Sequence, residues 1–166
     1  MGRETRVLFV CLGNICRSPT AQATFQHLVN QRGLASSFFV DSAGTSGEHD
    51  GEGAHRGTQA EARSRGVALA HVSRRVTAAD YDEFDLLVAM DQSNFRELVR
   101  RAPHPQARQK IVLFRDFEAG APPGSEVPDP WYSGQFALVF DMCLAASEGL
   151  LDAILAGPLG GARERE

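Results

Sequence analysis

Apolar, β-prone residues gather in four short runs, at 6–10, 38–40, 86–90 and 111–114, and each reads as a buried strand. Between and after them, apolar positions recur at helical spacing. After the first run, Gly13 and Asn14 mark a loop. Ser18-Pro19 then predicts a helix start, with Ser18 as N-cap and Pro19 at the first helical position; Ala21, Phe25, Leu28 and Val29 carry the helix to a stop at Gly33. The second run ends at Asp41-Ser42, and the stretch 44–57, with five glycines, reads as a loop. A short helix is expected over 58–65 before Gly66, and Thr77-Ala78-Ala79-Asp80 has the form of a capping box. Further helices are predicted over 93–101 and 136–155, separated by a Pro/Gly loop at 119–129, and a frayed tail is expected over 157–166.

This order of strands and helices predicts an α/β fold: one domain over 1–166, a three-layer sandwich around a central four-stranded parallel sheet with right-handed crossovers. Ligands of such sheets sit at the carboxyl ends of the strands, which directs attention to the loop after the first strand. Bulk properties narrow the function further. The 43% apolar content fits a globular chain, and the net charge of −4, with acids and bases interspersed, gives no footprint for a nucleic acid or an anionic membrane surface. No apolar run is long enough to span a bilayer, the first six residues lack a signal-peptide core, and Arg6 stands where a myristoylation pattern needs Ser or Thr. A cytoplasmic protein is expected. Three cysteines are too few for a disulfide framework, so Cys11 and Cys16 are read for reactivity first.

The stretch Cys11-Leu12-Gly13-Asn14-Ile15-Cys16-Arg17-Ser18-Pro19 joins a buried strand to a helix. Amides at a helix N-terminus carry partial positive charge and bind anions. Gly13 and Asn14 tolerate left-handed backbone angles, which lets successive N–H groups curl into a nest. Arg17 adds a fork that matches phosphate oxygens. Helix N-termini and cations also favour thiolates, so a loop that holds a phosphate dianion also supports a thiolate nucleophile at its centre, and Ser18 can stabilise that thiolate as it leaves. The blander readings are a core cysteine and an ordinary turn. A Walker loop is excluded by the absent Lys, and zinc by the lack of a second ligand pair. What favours chemistry is the joint pattern of Cys, five residues, Arg, Ser and Pro between strand and helix.

These residues resemble the low-molecular-weight protein tyrosine phosphatase family. The loop matches its C-x-x-N-x-C-R-S-P motif, and the likeness continues through Asp41-Ser42-Ala43-Gly44-Thr45, Ala70-His71-Val72-Ser73-Arg74, Phe84-Asp85, Met90-Asp91 and Asp129-Pro130-Trp131-Tyr132. The resemblance implies hydrolysis of phosphotyrosine on protein substrates, and of aryl phosphates, through a cysteinyl-phosphate, with inorganic phosphate or vanadate as inhibitor and no metal or cofactor. It implies Cys11 as nucleophile, Arg17 as phosphate clamp and Asp129 as general acid. Leu12, Gly13, Asn14, Ile15, Cys16, Arg17 and Ser18 would ring the phosphate. Asn14, Ser18, Ser42 and His71 would hold the loop in shape.

The chain departs from the family pattern at one wall of the substrate cleft. Glu48-His49 stands where an aromatic residue is usual, and the loop there is about one residue short, so His49 is expected as the substitute wall facing Ile15, Trp131 and Tyr132. Cys16 has two readings: packing beneath the loop, or capture of an oxidised Cys11 as a disulfide. Among rival functions, a thioredoxin-coupled arsenate reductase needs further cysteines after mid-chain, and only Cys143 is present. Protein arginine phosphatases place Thr at the position of Ile15. A non-catalytic anion-binding module would not need Cys11, Arg17 and Asp129 together.

Overall fold

A computed structural model describes residues 3–157. Four parallel strands, β1 (Thr5–Cys11), β2 (Phe38–Gly44), β3 (Leu86–Ala89) and β4 (Ile111–Leu113), form one sheet in the order β2-β1-β3-β4. Helices α1 (Arg17–Gln31), α2 (Arg56–Ser64), α3 (Asp80–Glu83), α4 (Gln92–Arg101), α5 (Pro105–Arg108), α6 (Pro130–Ser133) and α7 (Phe136–Ala156) complete the chain. Strand β1 is central and covered on both faces, so Val7, Leu8, Phe9 and Val10 are all fully buried. Side chains alternate along a strand. Val7, Phe9 and Cys11 therefore join the core formed with α1 and α7, whereas Leu8 and Val10 join the core formed with Tyr81, Leu98 and Ala107. Cys11 is the last residue of β1 and belongs to the α1 side, which sets its thiol beneath the start of α1.

Pairing extends the strands beyond the apolar runs. Strand β2 continues through Asp41, Ser42, Ala43 and Gly44 because these residues are in register with Leu8, Phe9, Val10 and Cys11. The predicted N-cap of α1 is displaced. The helix begins at Arg17, with Cys16 at the cap position and no side-chain cap. Ser18 lies inside the first turn, and its hydroxyl is turned instead to Cys11 and Asn14. Pro19 remains in the first turn, where an amide has no intrahelical partner to lose. At the other end, Gly33 takes φ 70° and the bonds Leu34 N to Val29 O and Gly33 N to Asn30 O close the helix.

Other short elements follow local capping. His55, His104 and Asp129 each accept a backbone N–H and start α2, α5 and α6, the last two with Pro at the first position. Asp91 caps α4 from just beyond β3. Of the capping box at Thr77–Asp80, the acidic half forms: Asp80 accepts from Thr77 N at 2.8 Å. Helix α6 falls just after the stretch read as the 119–129 loop. The tail expected over 157–166 lies outside the described residues apart from Gly157.

Candidate active site

The loop between β1 and α1 turns on Asn14, the one non-glycine residue with positive φ among the described residues (58°). Left-handed backbone is strained for most side chains, though Asn tolerates it better than most. Here the surroundings hold it from every side. His71 Nε2 and Ser73 Oγ both donate to Asn14 O, at 2.7 and 2.5 Å. Arg74 N donates to Asn14 Oδ1 at 3.0 Å, and Asn14 Nδ2 donates to Ser18 Oγ at 2.8 Å and to Ser42 Oγ at 3.0 Å. Ser42 in turn donates to Gln22 Oε1. Asn14 is fully buried, and each of its polar atoms is partnered.

The result is a ring of donors around one sulfur. Asn14 N points at Cys11 Sγ from 3.3 Å, and Ser18 Oγ lies 3.0 Å from the same atom. Because Ser18 Oγ already accepts from Asn14, its own proton is available to the sulfur. Among the described residues, no backbone carbonyl takes the amides of Gly13, Ile15 or Cys16, and the amides of Arg17 and Ser18 are first-turn donors of α1. The loop is pinned to the sheet edge by Thr45 N to Cys11 O and Ser46 N to Leu12 O, and to the start of α2 by His55 N to Ile15 O.

Arg17 is 5% exposed and projects along the floor. Its Nη1 donates to Asp91 Oδ2 at 2.6 Å and to Val127 O at 3.2 Å, and its Nη2 is 3.8 Å from Asp129 Oδ2. Burial opposes the guanidinium charge, but Cys11, Asp91 and Asp129 outweigh it and raise the pKa further, so Arg17 is a fixed cation. Cys16 differs. Burial first, then the charge of Cys11 and of Asp129, push its thiol up to about 12. The buried Thr58 hydroxyl approaches it without completing a hydrogen bond.

A cleft of about 230 Å³ opens above the sulfur, lined by the loop and by Glu48, His49, Asp129, Trp131 and Tyr132. Thus Cys11 and Arg17, at the two ends of one loop, share a cavity with Asp129, which comes from far along the chain. The family model for low molecular weight phosphotyrosine protein phosphatase matches residues 6–157.

The chain belongs to that family.

A low molecular weight protein-tyrosine-phosphatase of Streptomyces coelicolor is 42% identical over 152 residues, spanning 90% of this chain and 93% of the relative. Among solved structures, a protein tyrosine phosphatase from Entamoeba histolytica with Hepes in its active site superposes with a TM-score of 0.88 at 38% identity, covering 93% of this chain and 99% of that one. A Drosophila arginine phosphatase gives a TM-score of 0.81 at 34% identity, covering 89% and 96%.

All the residues expected from the resemblance to this phosphatase family gather at the cleft or in the network around Asn14. His49 faces Trp131 with ring centroids 5.6 Å apart, and Tyr132 is 88% exposed at the rim. Several contributors were not singled out as site residues from the sequence. Gln22, Ser73 and Arg74 complete the Asn14 network, and Asp91 fixes Arg17. Asp91 stands just past the carboxyl end of β3, so the strand-end rule applied to every strand would have marked it.

His71 carries the clearest pH consequence. Burial lowers its pKa below the ordinary 6.5, against the opposing hydrogen bond to Asn14 O. The neutral ring donates through Nε2. On acidification through about 6.5 the unfolded chain takes up a proton that the folded chain accepts only at lower pH, so stability falls as pH drops in that window. We expect urea midpoints to decline between about pH 7 and pH 5.5, and His71→Gln, whose amide still donates to Asn14, to flatten that decline. Equal slopes in both proteins would remove His71 as the cause.

Proposed function

We propose that the chain is a protein-tyrosine phosphatase acting through a cysteinyl-phosphate on Cys11. The observation that carries this is the convergence of N–H and O–H donors on Cys11 Sγ at the base of a cleft that also holds Arg17 and Asp129. The free amides of the loop and the Arg17 fork receive the three non-bridging oxygens of the phosphate. The Cys11 thiolate attacks phosphorus as the bond to the tyrosine oxygen breaks, and Asp129 gives that oxygen its proton. Asp129, now a carboxylate, then takes a proton from a water that attacks the phosphocysteine. The S–P bond breaks, and Ser18 and Asn14 N stabilise the departing thiolate. Inorganic phosphate and vanadate bind the same cradle as inhibitors. The setting is the cytoplasm, a reading supported by three buried thiols left unpaired.

Two variants test the two steps together. Cys11→Ser is expected to bind vanadate and to lose turnover, since an alcohol is a far weaker nucleophile than a thiolate. Asp129→Ala is expected to slow phenyl phosphate by about 10²–10⁴-fold, the range of general acid catalysis, and p-nitrophenyl phosphate much less, because that leaving group departs without a proton. Retained turnover in the first variant, or equal losses on both esters in the second, would contradict the assignment.

Phosphotyrosine is favoured over phosphoarginine by Ile15. This side chain lines the cleft and is nearly buried, and it offers no hydroxyl to a guanidinium, whose burial without a partner is unfavourable. The ratio of kcat/KM for the two substrates should favour phosphotyrosine in the wild type and move toward phosphoarginine in Ile15→Thr; an unmoved ratio removes Ile15 as selector.

Redox control is proposed at Cys16. Peroxide converts the Cys11 thiolate to a sulfenic acid. Attack by Cys16 sulfur then forms the disulfide, with Cys16 losing its proton and the sulfenic oxygen leaving as water. The charge of Cys11 that helps to keep Cys16 protonated disappears in the first step. Activity recovered by dithiothreitol after peroxide should be greater in wild type than in Cys16→Ser, and equal recovery would reduce Cys16 to packing.

A further inference from the structure

His49 is the point at which this chain departs from its family's aromatic wall, and its surroundings are specific. Its side chain is 24% exposed, and Nδ1 lies 2.7 Å from Glu52 Oε2. The opposite edge of the ring lies over Gly13 of the phosphate-binding loop: a methyl group there would stand 3.0 Å from His49 Cδ2 and 3.8 Å from Nε2. Gly13 thus lets the imidazole rest on the loop itself. Beyond it stands Trp131, tilted at 45°, with His55 edge-on to Trp131 at 5.2 Å. Both rings line the cleft, so an aryl ring entering it meets His49 and Trp131.

We propose that His49, held by Glu52, is a specificity-determining residue that makes one wall of the cleft titratable and grips an aryl ring more tightly when its imidazole is protonated. The proposal rests on the phosphotyrosine phosphatase reading above. The physical ground is the negative face of an aromatic ring, which attracts a cation placed over it by roughly twofold in affinity at exposed sites and by about thirtyfold when desolvated. The Glu52 carboxylate at Nδ1 accepts from one ring N–H and fixes the orientation of the imidazole over Gly13. Phenylalanine or tryptophan at this position would stack on the substrate equally at every pH. Histidine makes ring affinity depend on acidity, over and above the titration of the phosphate itself.

The other charged and titratable groups around His49 are known. Glu48 and Asp50 flank it, and Arg75 lies 3.9 Å from Asp50. Cys11 and Arg17 form the floor of the cleft, Asp129 precedes α6, and His55 touches Trp131. All of these persist in a His49 variant, so their contributions cancel in a ratio of wild type to variant taken at each pH. The phosphate's own protonation cancels in the same way.

The experiment uses the full chain. Dissociation constants for benzylphosphonate and for inorganic phosphate are measured by calorimetry at about pH 7.5 and pH 5.5 for wild type, His49→Phe and Glu52→Gln, alongside KM for p-nitrophenyl phosphate. From the higher to the lower pH, the wild-type affinity for benzylphosphonate, relative to His49→Phe, is expected to rise about threefold to tenfold. The same ratio for inorganic phosphate, which has no ring, should stay flat. Glu52→Gln, which leaves the histidine in place but removes the carboxylate that orients its ring, should show a smaller rise. A flat benzylphosphonate ratio overturns the proposal, and so does an equal rise for inorganic phosphate, which would mean that His49 acts on the anion and not on the ring. A wild type that binds neither anion and hydrolyses no aryl phosphate overturns the phosphatase reading itself, an outcome distinct from a working enzyme with an indifferent wall.

Discussion

The hydrogen-bond saturation of Asn14 is the constraint from which the rest of the site follows. A left-handed residue between Gly13 and Ile15 is needed to turn the amides inward, and that conformation persists only because the surroundings over-determine it. Its partners come from α1, from β2 and from the 71–74 segment that lies beside β2. The same bonds determine how Ser18 meets Cys11: with Asn14 Nδ2 occupying one lone pair of Ser18, the hydroxyl proton has the sulfur as its nearest acceptor. The setting of one sulfur thus depends on a network of neutral donors, while the charge nearest to it is that of Arg17.

Those charges are organised around Arg17. Asp91 uses one carboxylate oxygen to cap α4 through Asn94 N and the other to hold the guanidinium. The segment leading to Asp129 is fastened to the same place. Glu126 accepts from Gln92 N, Val127 N donates to Met90 O, and Val127 O accepts from Arg17. Val127 is also buried in the core. The loop that carries Asp129 is therefore anchored to the end of β3 and the first turn of α4, and Arg17 joins the floor of the cleft to that anchor. Arg17 and Asp129 are thus positioned by a common support.

Much of this was legible before any coordinates. The strands announced themselves because a parallel sheet covered on both faces demands continuous apolar runs, and the Cys11–Pro19 loop carried an unusual concentration of specific residue types. What was misread depended on tertiary context. Ser18 looks like an N-cap, but the side chain that would cap the helix is used on Cys11 and Asn14. Strand β2 appeared three residues long because Asp41 and Ser42 are polar, yet pairing with β1 carries it to Gly44. The Pro/Gly loop read over 119–129 ends in a cap, since Asp129 starts the four-residue helix α6. Gln22 lacks a local signature, and Ser73 acquires its role only from Asn14, 59 residues away.

The all-parallel order β2-β1-β3-β4 has a consequence for how the molecule comes into being. No strand pair can form as a local hairpin; each requires a crossover, and β1 meets β3 about eighty residues downstream. Sequence separations of 60 between Asn14 and Arg74, 74 between Arg17 and Asp91 and 110 between Arg17 and Val127 mean that the anion cradle closes only when distant segments have already docked. Non-local topologies of this kind fold slowly. During synthesis Cys11 and its loop emerge well before the groups that shape and charge them. A nascent chain that stops short of those groups therefore holds Cys11 without the cradle that surrounds it in the completed fold.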